Sequence, residues 1–222
     1  MEYVDIVFLN STFILDWAYA AKKFNKKVII HIREPLSKNL IGQSIIRMNI
    51  KKYCDKIIAI SKDNSKRINL ALKTSIIYDP VVIKNRNGLI SVKVDEKFKY
   101  FVYVGGEARI KGFEQFVKSL IYLNDDIRIF FLGNEVNYNN TPLKRLLRGF
   151  VDPFALKHEK LQKELKASSN IIHVGLTDNL FSYFNICRFL ISPFSKPHAS
   201  LPLLEAVSCG LPVIVSDVVG MD

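Results

Sequence analysis

Two short stretches combine glycine, basic residues and a lone acid in patterns suited to anion and sugar chemistry. The first is Val104-Gly-Gly-Glu-Ala-Arg-Ile-Lys-Gly112. Gly105 and Gly106 close an apolar run. Glycines at a strand end let the backbone approach a ligand, and a following helix would present its unsatisfied N–H groups. Arg109 and Lys111 add charge where a diphosphate would sit. Taken alone, this also fits an ordinary strand–helix turn, because it is not Gly-x-Gly-x-x-Gly. The second stretch runs from Ile191 to Gly220, as strand, polar loop, short helix and strand. Ser200 is its candidate N-cap, Pro202 fits the first turn, and Gly210 with Pro212 stops the helix. Leu201, Leu203, Leu204, Val207 and Ser208 are expected to form one packed face. Glu205 stands alone among them, where a solvated helix acid is the ordinary alternative.

These residues need a scaffold, and the chain supplies one. β-branched runs at 5–9, 27–32, 56–60, 75–78, 100–104, 127–132, 170–174, 188–191 and 212–216 alternate with helical patterns at 12–24, 36–54, 63–73, 112–123, 179–186 and 201–208. Such alternation predicts an α/β protein, with parallel sheets carrying helices on both faces. Strands that are apolar throughout, such as IFFL and VIV, suit burial on both sides. Two further strand ends close on glycine, at Phe131-Leu-Gly-Asn134 and at His173-Val-Gly175-Leu176, on the edge where open α/β sheets bind ligands. His173 itself fits a structural role within its strand.

A polar break containing Asn-Gly, residues 85–97, separates two α/β series and reads as a linker. The expected domains are therefore 1–84 and 98–222. Residues 134–169 read as an inserted, Lys/Arg-rich segment with a Thr-Pro helix start at Thr141 and a charged amphipathic helix after Pro153. That helix is expected either on the surface in water, or with a basic apolar face on a membrane or over the cleft.

The 222 residues are 49% hydrophobic and 24% charged, a globular composition. No run of about 18 or more apolar residues appears, so no membrane span is expected. The start MEYVDIVFLNSTF reads as a strand rather than a signal peptide. Three cysteines, Cys54, Cys187 and Cys209, are odd in number and widely spaced, which argues against a disulfide framework and for a reducing compartment. The four histidines and the cysteines show no metal-ligand spacing. The net charge of +11 fits a Lys/Ile/Asn-rich coding background, an anionic substrate or an anionic membrane surface. It is spread along the chain without a nucleic-acid motif, so no nucleic-acid partner is expected.

Taken together, YVGGEARIKGFEQF, FFLGN, NIIHVGLTDNLFSYF and SPFSKPHASLPLLEAVSCGLPVIVSD resemble, in order and spacing, the retaining GT-B glycosyltransferases of family 4, the "glycosyl transferases group 1". VDIVFLNSTF, KVIIHIREPLSK, CDKIIAISKDNSKRI and SIIYDPV look like the second half of that family's acceptor domain. The resemblance implies two Rossmann-like domains, the N-terminal one incomplete, with the chain short at both ends and Met1 inside the acceptor domain. It also implies roles. Glu205 matches the acid that binds the nucleotide ribose, and Lys111 the lysine that neutralises the donor diphosphate. Gly105 matches the first-loop glycine, the backbone near Ser200 and Leu201 would hold a phosphate, and the loop at Gly175 and Leu176 would hold the base.

Two positions depart from the family pattern. Pro197 stands where the first acid of a Glu pair is expected, with His198 as its candidate substitute. Gly106 stands where the family has Arg, with Arg109 as the candidate source of charge. From the acceptor side, His31, Arg33 and Glu34 end a strand and are candidates for contacting sugar or acceptor; an Arg33–Glu34 ion pair is the simpler alternative. The resemblance implies retaining transfer of a sugar from a nucleotide sugar to a glycan or lipid-linked acceptor, without a metal or other cofactor. The expected setting is bacterial surface-polysaccharide assembly in the cytoplasm, peripheral to the inner face of the plasma membrane. The alternative is a non-catalytic remnant that binds nucleotide sugar.

Overall fold

The computed structural model describes residues 3–34, 39–82, 90, 92–136, 153–196 and 200–218. The chain divides into two compact units, the first essentially residues 1–80 and the second residues 81–196 with 200–218.

The first unit is a four-stranded parallel sheet: β1 (Ile6–Leu9), β2 (Lys27–Ile32), β3 (Lys56–Ala59) and β4 (Thr74–Ile76). Its strands lie side by side in sequence order. Three helices connect them: α1 (Asp16–Lys23), α2 (Leu40–Tyr53) and α3 (Lys62–Ile68). Asn39 caps α2 and Ser61 caps α3 through side-chain oxygens. The helix expected at 12–24 splits into a 3-10 turn, Thr12–Ile14, followed by α1. Residues 36–38 of the expected second helix lie outside the described residues.

Sequential strand order has a geometric consequence. Right-handed crossovers between successive neighbours all pass over the same side of the sheet. Accordingly Leu9, Val28, Ile30, Ile32 and Ile57 share one core with Ala18 and Ala21 of α1, Ile50 of α2 and Ile68 of α3. The residues of opposite parity include Ile6 and Phe8, which stay 50% and 53% exposed. The expectation of helices on both faces therefore fails among the described residues of this unit. Alternation of strand and helix predicts crossovers, but not the order in which strands line up.

In the second unit the expectation holds. Its sheet of five parallel strands runs in the order β7-β6-β5-β8-β9. These are β5 (Lys99–Val104), β6 (Ile127–Leu132), β7 (Ile171–Gly175), β8 (Phe189–Ser192) and β9 (Val213–Val215). The order reverses between β5 and β8, so the crossovers divide between the faces. On one face Tyr103, Ile129 and Phe131 pack with Phe113, Phe116 and Val117 of α4 (Phe113–Ser119), and with Leu161 and Leu165 of α5 (Pro153–Ala167). On the other, Val102, Phe130 and Leu190 pack with Phe181 and Phe184 of α6 (Leu180–Ile186), and with Ala206 of α7 (Leu201–Ser208).

Two expectations are corrected here. The helix after Pro153 is not an added surface element: α5 is the β6–β7 crossover. Ala155, His158, Leu161 and Leu165 are buried along one stripe of α5. Its lysines face out, Lys157 pairing with Glu114 at 2.6 Å. The apolar stripe that suggested a membrane face belongs to the core. Residues 137–152, including the Thr-Pro start at Thr141, lie outside the described residues. The linker reading of 85–97 also narrows. Ile90, Val92 and Val94 pack against the core of the second unit, following the alternation in LISVKV; residues 83–89 and 91 are outside the described set.

The two strand ends at the reversal meet closely. Gly112 has φ +77°, and a Cβ there would lie 1.6 Å from the Pro193 carbonyl oxygen. Gly112→Ala is expected to destabilise the second unit by at least about 2 kcal/mol, since the left-handed backbone alone costs about 1–3 kcal/mol. Urea denaturation would measure it, and an unchanged midpoint would contradict this packing.

Candidate functional site

Open α/β sheets bind ligands beyond the carboxyl ends of their strands, where strand order reverses. In the second unit that place lies between β5 and β8, where the loop carrying Gly105, Gly106, Arg109 and Lys111 meets the loop carrying Pro193 and Ser195. The loop after β5 is rigidly fastened. The Gly105 and Gly106 N–H groups both donate to the Leu132 carbonyl, at 3.0 and 2.9 Å, and Glu107 N–H donates to Asn134 O at 3.1 Å. A 3-10 turn, Arg109–Lys111, then leads to Gly112. The expectation that the glycines open the backbone to a ligand is corrected. Their donors are already used, and a Cβ on Gly106 would lie 2.4 Å from Asn134 O, so this glycine permits two loops to touch. Gly105 makes room for a side chain: a Cβ there would lie 2.8 Å from Lys111 Cβ.

Lys111 is half-buried, and its Nζ lies 4.8 Å from the centre of the Phe194 ring. Burial pulls its pKa below the usual lysine value. Among the described residues no carboxylate pairs with it. A desolvated ammonium held by a ring face instead of a counter-ion is a ready anion site. Arg109 is exposed, and its carbonyl accepts the Ser195 hydroxyl at 3.0 Å.

The loop after β8 is joined to the same turn. Ser195 N–H donates to Ile110 O at 3.1 Å, beside the Gly112–Pro193 contact. Pro197, His198 and Ala199 lie outside the described residues. Ser200 is buried and occupies the N-cap position of α7 in extended geometry, but its hydroxyl caps no N–H of the helix. Glu205 follows a turn later and is half-buried. Burial raises its carboxyl above the usual range, and among the described residues nothing pairs with the carboxylate. The expected packed face of α7 is displaced. Leu201, Leu204 and Val207 are exposed, while Leu203, Ala206 and Cys209 face the core. Which side of so apolar a helix turns inward depends on the sheet beneath it.

At the neighbouring strand end, Gly175 has φ +78° and its carbonyl accepts Gly133 N–H at 2.8 Å. Leu176 beyond it is 76% exposed. His173 lies in β7, 3.2 Å from Glu135 and against the Phe131 ring.

The first unit carries the other candidates at the ends of its own strands. His31 lies on the sheet face opposite α1–α3, with Nδ1 3.1 Å from Asn10 Oδ1. Burial lowers its pKa, and the Arg33 charge adds to the effect. Arg33 pairs with Asp79 at 2.6 Å, while Glu34 accepts the N–H and hydroxyl of Thr12, each at 3.2 Å. The simple Arg33–Glu34 pair is thus replaced by two separate partnerships. Asp79, just past β4, was missed in the sequence; the acid in YDP directly after a strand was its signal.

Glu107 was also missed. It is 2% exposed, and its Oε2 accepts Val136 N–H and the Gln162 amide, each at 2.6 Å. A lone acid directly after two glycines at the end of an apolar strand was the available sign. Among the described residues no group of His, Cys, Asp and Glu is placed to hold a metal ion, and no helix is long and apolar enough to cross a membrane.

Comparison with known proteins adds the following. The family model described as "Glycosyl transferases group 1" matches residues 89–222. The O-antigen chain mannosyltransferase RfbU of Salmonella typhimurium is 25% identical over 179 residues, covering 78% of this chain and 45% of RfbU. Among solved structures, Anabaena HepE in complex with UDP and glucose superposes with a TM-score of 0.75 at 13% identity, over 98% of this chain and 60% of HepE. The lipopolysaccharide outer core galactosyltransferase WaaB superposes with a TM-score of 0.63 at 21% identity, over 96% of this chain and 57% of WaaB. The shared fold is thus GT-B, and the chain spans about half the length of RfbU and three fifths of the structural relatives.

The raised carboxyl of Glu205 has a consequence for stability. The folded state holds that proton more tightly than the unfolded state, so stability is lost as pH rises through the folded pKa. Glu205→Gln is expected to melt higher than the parent at pH 7, with the gap closing as pH falls below the ordinary carboxyl value of 4.5. Calorimetry at several pH values would check this; a gap independent of pH would contradict it.

Proposed function

The chain belongs to the glycosyl transferases group 1 family, and from that premise we propose that it works in retaining transfer of a sugar from a nucleotide sugar to a glycan or lipid-linked acceptor. The observation that carries this reading is Lys111: a desolvated ammonium without a carboxylate partner among the described residues, at the reversal of strand order. Lys111 neutralises the donor diphosphate and stabilises charge on the departing nucleotide, the main electrostatic task of the reaction. Arg109 adds charge from the same turn. Glu205 accepts hydrogen bonds from the ribose hydroxyls, which the bidentate acceptor geometry of a carboxylate suits. The start of α7, at Ser200 and Leu201, supports a phosphate; His198 is assigned to the sugar and the loop at Gly175 and Leu176 to the base. On the first unit, His31, Arg33 and Glu34 serve sugar or acceptor contact.

The comparisons support this reading in kind. HepE is described with UDP and glucose, RfbU as an O-antigen mannosyltransferase and WaaB as a lipopolysaccharide galactosyltransferase. We place the protein in bacterial surface-polysaccharide assembly at the cytoplasmic face, where a charge of +11 suits anionic lipid. The reaction is proposed to need no metal, since Lys111 and helix N-termini supply the positive potential. One observation favours a second reading, nucleotide-sugar binding without turnover: Pro197 stands where the family pattern has an acid. Release of free or transferred sugar from labelled UDP-sugars decides between them. Turnover supports the first reading, whereas tight binding without release supports the second.

Calorimetric titration with UDP tests the site itself. Glu205→Ala is expected to weaken binding by about 1–3 kcal/mol, the scale of a lost charge-assisted hydrogen bond; equal affinity would move the ribose elsewhere. Lys111→Ala is expected to flatten the dependence of affinity on salt, since one ion pair with the diphosphate is lost. An unaltered salt slope would remove Lys111 from the diphosphate.

A further inference from the structure

We infer that Glu107 is a positioning residue that latches the Lys111 turn to the β6–β7 crossover and so sets the affinity for a nucleoside diphosphate. The ligand half of this inference rests on the function proposed above.

Glu107 is the point at which a side chain attaches the loop. Its N–H donates to Asn134 O at 3.1 Å, and its carbonyl lies 3.2 Å from His158 Nε2. Its Oε2 accepts Val136 N–H and the Gln162 amide, and Gln162 also donates to Val136 O at 2.7 Å. Backbone and side chain thus tie one residue to the strand end after β6 and to two successive turns of α5. A charge-bearing group sunk this deep is costly unless its geometry is well served. The second carboxylate oxygen, Oε1, is buried with no hydrogen-bond partner among the described residues.

The latch acts on Lys111 through short covalent paths. Gly105, over which the Lys111 stem lies, is two residues before Glu107, and Lys111 is four residues after it. On its far side the turn is held by Ser195 and by the Gly112–Pro193 contact. On the near side Glu107 adds a side-chain hold to the backbone bonds of Gly105, Gly106 and Glu107 N–H and to the Tyr103 hydroxyl bond to Lys111 O. Without its carboxylate the 3-10 turn loses its side-chain tie to α5, and the ammonium is held less firmly over Phe194.

The test compares four variants of the full chain by hydrogen exchange without ligand and by titration with UDP. Glu107→Ala is expected to raise exchange of the amides of residues 105–112 at least tenfold and to raise the UDP dissociation constant about tenfold. Gln162→Ala, which keeps Glu107 and removes one donor, gives changes in the same direction of about threefold, and keeps the test open if Glu107→Ala fails to fold. Glu107→Gln retains an oxygen for both donors and stays within about threefold of the parent. Leu161→Ala destabilises the same helix through its core contacts and leaves UDP affinity unchanged in folded protein. Three results overturn the inference: loop protection kept in both Glu107→Ala and Gln162→Ala, loop protection lost with UDP affinity unchanged, or Leu161→Ala losing as much affinity as Glu107→Ala. If the parent binds no UDP, the functional reading and the ligand half of the inference fall together, while loop exchange still decides the latch.

Discussion

The arrangement of the second unit rests on one close approach, that of Gly112 to the carbonyl of Pro193. It brings together the loops that follow β5 and β8, the two strands between which the order of the sheet reverses. Ser195 reinforces it by bonding to the carbonyls of Arg109 and Ile110. From this junction the other features follow. Lys111 is held on one side of it, and the chain leading to α7 and Glu205 leaves from the other. A side chain larger than hydrogen at residue 112 would push the loops apart.

The two ionisable groups of the site share an electrostatic character. Lys111 has its pKa lowered and Glu205 has its raised, both by burial. Each is thus less comfortable in its charged form than in water. Surface lysines and glutamates elsewhere in the chain behave differently: Lys22 pairs with Asp55, Lys99 with Asp126 and Lys118 with Glu114. Unfavourable solvation of this kind makes each group responsive to a ligand that supplies opposite charge or hydroxyl donors.

Much of this was legible in the sequence, and the limits have physical causes. The nine strands among the described residues all overlap the apolar β-branched runs of the sequence; in the second sheet, covered on both faces, a central strand must be apolar along its length. Lys111 and Glu205 were legible as residue types at strand and helix ends. Their desolvation was not, since it depends on what packs nearby. Strand order was not legible either. It decides that α1, α2 and α3 share one face of the first sheet, while α4 and α5 lie opposite α6 and α7 in the second. Glu107 escaped because its partners Val136 and Gln162 are 29 and 55 residues away. The inward side of α7 escaped because nearly every side of that helix is apolar.

The parallel pairing of β5 with β8 bears on how the protein comes to be functional. The bond between Ser195 and Arg109 closes a span of 86 residues. Closing so long a span is entropically unfavourable until the intervening strands and helices have formed. The junction is therefore stable only once those elements are in place. Any ligand that bound across the completed junction would favour whole molecules over unfinished ones by mass action.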